Sequence, residues 1–432
     1  MQLELGTFPV RNAVFGSRTH WVDGTLEINK EELLTVARLD PNLSFVDVAL
    51  AHPGESVRIV NVSDVLEPRV KVSGPGTVYP GVCGRPVTAV GRGQTNRLGG
   101  FAVIECVPRS ATTPGRTNQF ASRDQLSYRR QDFIDMAGPG AVRPFASLIN
   151  LAITLEADPS LGPEDRHLAN HGAALRVSDY LAQAVADLDP PEREVFDLSP
   201  KNPALPGIVF IPVLASMEFW GGPDSKIGTA VYGVTRLSAP WVLHPTELMD
   251  GAVGQGSAQG LSWPLINNPL VMELARRHGK YLNFQAVIVQ RSNWGGQAEM
   301  ELAAERAAQA ASLLGAQGAI VTTNIRGRRF VDTVACVKAC QAEGIRTVLV
   351  TEEEDSEDGA ATPLLINDPA IVAAVSTGTG SVPYPFAPVE RVLGEREIDP
   401  EWRGELPPLA GRYGAFNIQD WYGFGRLICA DY

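Results

Sequence analysis

The stretches FQAVIV (284–289), QAEMELAAERAAQAASLLG (297–315), AIVT (319–322), FVDTVACVKACQAEG (330–344) and TVLVT (347–351) decide the fold. Short runs of branched apolar residues alternate with longer segments of helical period. Each helical segment ends on a glycine, Gly315 or Gly344, that suits a helix C-terminus. A short apolar run without alternation is what a strand covered on both faces requires. The pattern predicts strand, helix, strand, helix, strand, with a further strand at Ile371 to Val375. Such repetition predicts a doubly wound, mostly parallel sheet, whose ligands bind beyond the carboxyl ends of the strands. Just upstream, Asn268-Pro269 reads as an N-cap with proline at the first helical position, opening a helix to about His278.

The same rhythm extends back to about residue 146. Leu148 to Leu155 is a continuous apolar run, and Pro163 to Asp187 follows with helical spacing through Leu168, Leu175, Leu181 and Val185. Ile208 to Leu214, Ala230 to Val234 and Trp241 to Leu243 read as strands. Before residue 146 the texture differs. Short alternations such as Val57-Arg58-Ile59-Val60 and Val70-Lys71-Val72 sit between glycine and proline clusters. The expected class is α/β, with a β-rich N-terminal domain (1–145) followed by α/β domains at 146–262 and 263–432. The polar run 109–131 is expected to be an exposed loop that could serve as an arm in an assembly.

The chain has 432 residues and a formal net charge of -12. This acidity argues against nucleic acid and anionic membranes as partners, because both need a basic face. Its five cysteines, Cys83, Cys106, Cys336, Cys340 and Cys429, are scattered, with no disulfide framework in their spacing. A reducing compartment fits, and MQLELGTFPV has neither the basic nor the apolar region of a signal peptide. The expected location is the cytoplasm.

The most unusual stretch is HPTELMDGAVGQGSAQGLSWPLINN, residues 244–268. Gly251, Gly254, Gly256 and Gly260 fall within ten residues, and Asn267-Asn268 follow. Such a loop suits close backbone approach to a small-molecule ligand or positive φ. His244, Thr246, Gly256, Asn267 and Asn268 are the candidate binding residues, and Glu247, Asp250 and Ser257 the candidate catalytic ones. A Gly256-Ser257 bond can in principle rearrange to an ester and eliminate, leaving a pyruvoyl group, although Gly-Ser pairs are common. Three other constellations carry bland readings more readily than chemical ones. His167 and His171 share a helix face, but Leu168 stands where a zinc helix has glutamate, so no metal site is assigned. Cys336 and Cys340 at i, i+4 suit a packed helix face. Arg326-Gly327-Arg328-Arg329 suits a solvated loop as well as an anion site.

Several segments together resemble the large subunit of component B of the glycine/sarcosine/betaine reductases. They are Leu3-Glu4-Leu5-Gly6 with Val14-Phe15-Gly16, PGESVRI (53–59), EPRVKV (67–72), Tyr79-Pro80-Gly81, IDMAGPGA (134–141), PTELMDGA (245–252), NNP (267–269) and HGKYLNF (278–284). They occur in family order from the first residues to about 380. The resemblance implies a subunit that is cleaved before a cysteine shortly after the PTE-x-MDGA motif. That cysteine becomes a pyruvoyl group that captures the amino-group substrate, and a smaller, selenocysteine-bearing subunit helps to cleave the C–N bond. Here the corresponding stretch, GAVGQGSAQG, holds no cysteine, and Ser257 is the nearest replacement. An intact chain is therefore favoured over a pyruvoyl group made from Ser257. A homologue of the smaller subunit, a second copy of this chain, or both are the expected partners. The alternative is an unprocessed scaffold that completes a partner's active site, or a redirected enzyme.

Overall fold

The computed structural model describes residues 1–108, 133–199, 201–214, 230–233, 235–236, 239–254, 261–292, 296–323, 329–353, 364, 366–379 and 385–406. Among these the chain is mixed α/β, built from several mixed sheets. The expected loop at 109–131, the arginines 326 and 328, and both Gly256 and Ser257 lie outside the described residues.

The largest sheet has six strands in the order Trp241–Leu243, Asn283–Arg291, Gly207–Leu214, Gly318–Thr323, Arg346–Glu353 and Ala374–Thr379. The first pair is antiparallel and the remaining pairs are parallel. The expected strands at 284–289, 319–322 and 347–351 are all in it. The expected helices form at Gln297–Leu313 and Arg329–Ala342 and pack on one face of it. Gly315 and Gly344 take φ of 73° and 76°, the left-handed turn that ends each helix. The alanine-rich helix buries Ala304, Ala307, Ala308 and Ala311, a stripe small enough for close approach to the sheet. Cys336 and Cys340 are fully buried in the same layer, as small hydrophobes on the packed face. The opposite face of the sheet packs Leu248, Met249, Val271 and Leu274 against Phe210, Phe284, Val287 and Val289.

The run Ile149–Ala157 is a strand, but its partners differ from the expectation. It lies between Leu43–Ala51 and Phe101–Cys106 in a four-stranded sheet that Val62–Leu66 completes. Helix Pro163–Ala182 covers this sheet, with Ala173, Leu175, Val177 and Leu181 in one core with Phe101, Val103, Leu151 and Ile153. The parallel layer thus begins at Gly207. A second four-stranded sheet pairs Gln2–Pro9 with Glu192–Asp197 and Gly93–Gly99, and Arg69–Ser73 closes it. The N-terminal third is β-rich as expected, with one described α-helix of eight residues, Lys30–Ala37, capped by Asn29. Asp135 of IDMAGPGA forms a bidentate pair with the fully buried Arg58, at 2.6 and 2.8 Å. Arg58 also donates to the Trp402 carbonyl at 2.7 Å, so residues near 400 are tied to the N-terminal sheets.

Candidate functional site

PTELMDGA forms a five-residue helix, Pro245–Met249, that begins where the edge strand Trp241–Leu243 ends. His244 is its N-cap. The Nδ1 atom of His244 accepts the Thr246 hydroxyl at 2.7 Å and the Thr246 amide at 3.3 Å. Burial pushes the His244 pKa down to about 4, helped by the N-terminal ammonium, His278 and Lys201, so the ring is neutral near pH 7. Glu247 closes a capping box by accepting the His244 amide at 2.6 Å, and its other oxygen accepts the Tyr232 hydroxyl. Asp250 ends the helix and is fully buried. Its carboxylate accepts Thr95 Oγ1 and the Gly91 amide, each at 2.7 Å, and pairs with Lys71 Nζ. At Gly91, which has φ of 92°, a Cβ would lie 2.7 Å from the Glu247 nitrogen, so the helix sits directly on that turn. His244, Thr246, Glu247 and Asp250 are thus brought together, and Asp250 fastens the short helix to strands Arg69–Ser73 and Gly93–Gly99 through Lys71 and Thr95.

Asn267 and Asn268 do different work. Asn267 Oδ1 accepts Arg69 Nη2 at 2.7 Å and Arg97 Nη1 at 3.0 Å. Arg69 also donates to the Met249 carbonyl and to Glu67, each at 2.6 Å, and so links the end of the motif helix to the Asn-Asn turn. Asn268 Oδ1 accepts the Val271 amide and caps helix Pro269–Arg277, as its sequence predicts. The Nδ2 atoms of both asparagines are buried without a partner.

The chain leaves this assembly at Val253–Gly254 and returns at Leu261–Ser262. Of the four loop glycines, Gly251 takes positive φ, 87°, and Gly254 does not. Both press on Tyr79: a Cβ at Gly251 would lie 3.0 Å from the Tyr79 nitrogen, and one at Gly254 would lie 3.7 Å from its ring. The Tyr79 hydroxyl is buried without a partner, and burial pushes its pKa upward. On the returning side, Ser262 donates to both oxygens of Asp64, through its amide at 2.8 Å and its hydroxyl at 2.6 Å. Beside Asp64, His171 Nδ1 meets Glu105 Oε2 at 2.7 Å, both side chains being buried.

These carboxylates were not singled out from the sequence. Each is a lone acid in an otherwise apolar strand, Asp64 in VSDVL and Glu105 in FAVIEC. That is the available signal, because an acid inside a strand buried on both faces has to be partnered. Burial raises the Asp64 pKa to about 7, with Glu105 adding to the rise and His171 opposing it. For His171, burial favours the neutral ring, but the charge and hydrogen bond of Glu105, with Asp64, win and raise its pKa. His167 stacks on His171 with ring centroids 5.4 Å apart. No group of three or more His, Cys, Asp or Glu side chains arranged for a metal occurs among the described residues. Cys83, near Glu105, is a poor nucleophile: burial, then the Glu105 charge, pushes its thiol up to about 12.

A sequence model described as glycine/sarcosine/betaine reductase component B subunits matches residues 1–411. The chain belongs to that family. Relatives include the glycine reductase complex component B subunits alpha and beta of Acetoanaerobium sticklandii, 31% identical over 92% of this chain and 90% of the relative. The betaine reductase complex component B subunit alpha of Peptoclostridium acidaminophilum is 33% identical over 92% and 88%. The sarcosine counterpart from the same organism is 31% identical over 97% and 95%. No solved structure matches. Among the described residues, no helix of this component B family member is long and apolar enough to cross a membrane.

The residues present do not fit the family's cysteine-derived pyruvoyl group. No cysteine occurs between Val253 and Ser262. The half-buried thiol of Cys83 and the buried thiol of Cys106 are held above their ordinary range.

Proposed function

We propose that this chain is an intact component B subunit that binds a small amine or carbonyl compound and acts with a second subunit in cleavage of a C–N or related bond. The observation that carries this reading is the buried group of Asp64, Glu105, His171 and Tyr79 between the two ends of the glycine-rich segment. Breaking a C–N bond requires a proton for the departing amine. A carboxyl with a pKa of about 7 holds a proton near neutrality and can release it, which is the requirement for a general acid. The His171–Glu105 pair fixes the local charge against which Asp64 titrates. The unpartnered Tyr79 hydroxyl and the Asn267 and Asn268 amide nitrogens are donors with capacity for a bound carboxylate or carbonyl oxygen. The two electrons of a reductive cleavage are assigned to a selenol or thiol of the partner, a homologue of the smaller component B subunit, which is oxidised as the C–N bond breaks and the amine leaves with the proton. Ser257 is at most a binding residue in this scheme, with Gly256 allowing close approach.

A second reading, a scaffold that completes a partner's site, is favoured by Asp250 and Glu247, whose oxygens are engaged in holding the short helix. One experiment separates the two. The chain is co-purified with its partner, its intact mass is taken, and amine release is followed with glycine, sarcosine and betaine. One species near 46.4 kDa and at least a tenfold loss on Asp64→Asn support the enzymatic reading. Full activity in Asp64→Asn and Tyr79→Phe moves the chain to the scaffold reading. Two fragments with a blocked terminus at residue 257 overturn the intact chain. A strict monomer by light scattering that recovers no partner would remove the assembly.

A further inference from the structure

Strand Asn283–Arg291 presents Ala286 and Ile288 to the layer formed by helices Gln297–Leu313 and Arg329–Ala342, and Val287 and Val289 to the opposite layer. Alternation therefore places Gln290 on the two-helix face, at the carboxyl end of the strand. Gln290 has no exposed surface, and both its amide nitrogen and its amide oxygen lack a partner. Two residues on, Ser292 shares that face; it is 1% exposed and its hydroxyl is likewise unpartnered. The Ser292 amide is held by the Leu214 carbonyl at 2.9 Å, so this backbone is fixed. Register carries the row across the sheet: Gln290 pairs with Val213, and Val213 with Thr323, whose side chain is also buried.

Buried amides and hydroxyls without partners are costly, and natural proteins rarely keep three such atoms on one face of one strand end. Both helices of this layer start at the same edge, in a parallel β-α-β arrangement, so their positive ends face it. Opposite charges flank the row. Arg291 lies within electrostatic reach of Glu299, in the first turn of one helix, and of Asp332, in the first turn of the other, while burial lowers its pKa.

We propose that the carboxyl edge of the six-stranded sheet is a second small-molecule site, on the face opposite the Pro245–Met249 helix, and that it takes a small zwitterion of the amino-acid type. An acceptor and a donor are both required to satisfy the two ends of the Gln290 amide. A carboxylate suits Gln290 Nε2, Ser292 Oγ and the helix amino ends. An ammonium group suits Gln290 Oε1. This site stands on the six-stranded sheet alone and does not depend on the chemistry proposed for Asp64.

Thermal unfolding of the full chain with glycine, acetate or methylammonium tests the proposal. Glycine in the millimolar range should raise Tm by about 2 °C or more, and acetate and methylammonium should not. In Gln290→Met, which keeps volume and removes the amide, the unliganded Tm should be equal or higher and the glycine shift lost. Ser292→Ala should need about tenfold more glycine, and it decides the matter if Gln290→Met does not fold. Asp64→Asn should keep the shift. The proposal is overturned if glycine gives no shift, if the shift survives Gln290→Met, or if acetate or methylammonium alone reproduces it. Loss of the shift in Asp64→Asn but not in Gln290→Met also overturns it, while leaving the proposed function standing.

Discussion

Asp250 and Asp64 are both fully buried carboxylates, and each accepts three hydrogen bonds. The donors to Asp250 are an amide, a hydroxyl and the ammonium of Lys71. The donors to Asp64 are two amides, from Val65 and Ser262, and the Ser262 hydroxyl. Hydrogen bonds alone do not cancel a buried charge; a counter-ion does. Asp250 therefore belongs to a closed ion pair. Asp64, which has no such counter-ion among its hydrogen-bond donors, is driven toward the protonated form chiefly by burial; the His171 charge opposes this and the Glu105 charge adds to it. The two regions teach that a carboxylate in an acid-rich motif can be a fastener, while one isolated in an apolar strand can be the group poised to move a proton.

The largest expected effect breaks the fastener. Asp250→Ala leaves the Lys71 ammonium, 8% exposed, without its counter-ion, and deprives Thr95 and the Gly91 amide of their acceptor. The expected loss is about 3–5 kcal/mol, the range for removing one partner of a buried pair. Urea unfolding followed by circular dichroism measures it. Wild-type stability in that variant would show that the short helix is held by its apolar contacts alone.

Next in size is the pH dependence carried by the other region. The Asp64 pKa rises from 3.8 unfolded to about 7 folded. Between those values the folded state holds more protons than the unfolded state, so stability falls as pH rises, by at most about 1.4 kcal/mol per pH unit for one group. His171, also raised, keeps its contribution below about 6.5 and loses it as pH climbs through its folded value, which extends the decline in the same direction. Asp64→Asn should flatten the profile between about pH 4 and 7, because the Ser262 hydroxyl can turn to accept from the new amide. Glu105→Gln should move the His171 titration to lower pH, read from its imidazole proton resonances. A profile that Asp64→Asn leaves unaltered would place the titration elsewhere.

A smaller effect is expected at Glu247, which is half-buried. Glu247→Ala removes the capping box and the acceptor for Tyr232, at a cost of about 1–2 kcal/mol. The loss should be one of stability, with KM and kcat unchanged once the protein is folded. A change in kcat at constant stability would return Glu247 to the chemistry.

Legibility followed the same division. The alternation over 284–351 is readable because apolar period, helix-ending glycines and the Asn268-Pro269 cap are all local signals. The place of Ile149–Ala157 is not, since a continuous apolar run reads alike in any sheet covered on both faces, and its partners start about a hundred residues away at Leu43 and about fifty away at Phe101. Within the site, the sequence shows that 244–268 is unusual but not what it touches. Arg69 reaches Asn267 across 198 positions, and Ser262 reaches Asp64 across the same span. Long-range pairings of that kind leave no mark in local pattern. The acids in VSDVL and FAVIEC do leave one, but it becomes legible only once both faces of those strands are known to be covered.

The smallest expected change in stability is also the sharpest test of the comparison. Tyr79 packs under Gly251 and Gly254, is 3% exposed, and holds a hydroxyl with no partner. An unmade buried hydrogen bond costs about 1–3 kcal/mol, so removing the group should not destabilise the fold. Tyr79→Phe is expected to be neutral or more stable by up to about 1 kcal/mol. If the hydroxyl serves a bound substrate, activity should move the other way, with kcat/KM falling at least about tenfold, near the 1.4 kcal/mol expected for one lost hydrogen bond to ligand. Opposite signs in stability and activity are what a site requires, whereas a change at a fastener such as Glu247 lowers stability and leaves kcat and KM of the folded protein unchanged. Unfolding curves and initial rates on the same preparation decide it. A Phe variant that is less stable and fully active would make Tyr79 part of the packing, and would weaken the case for the neighbouring Asp64 as a proton donor.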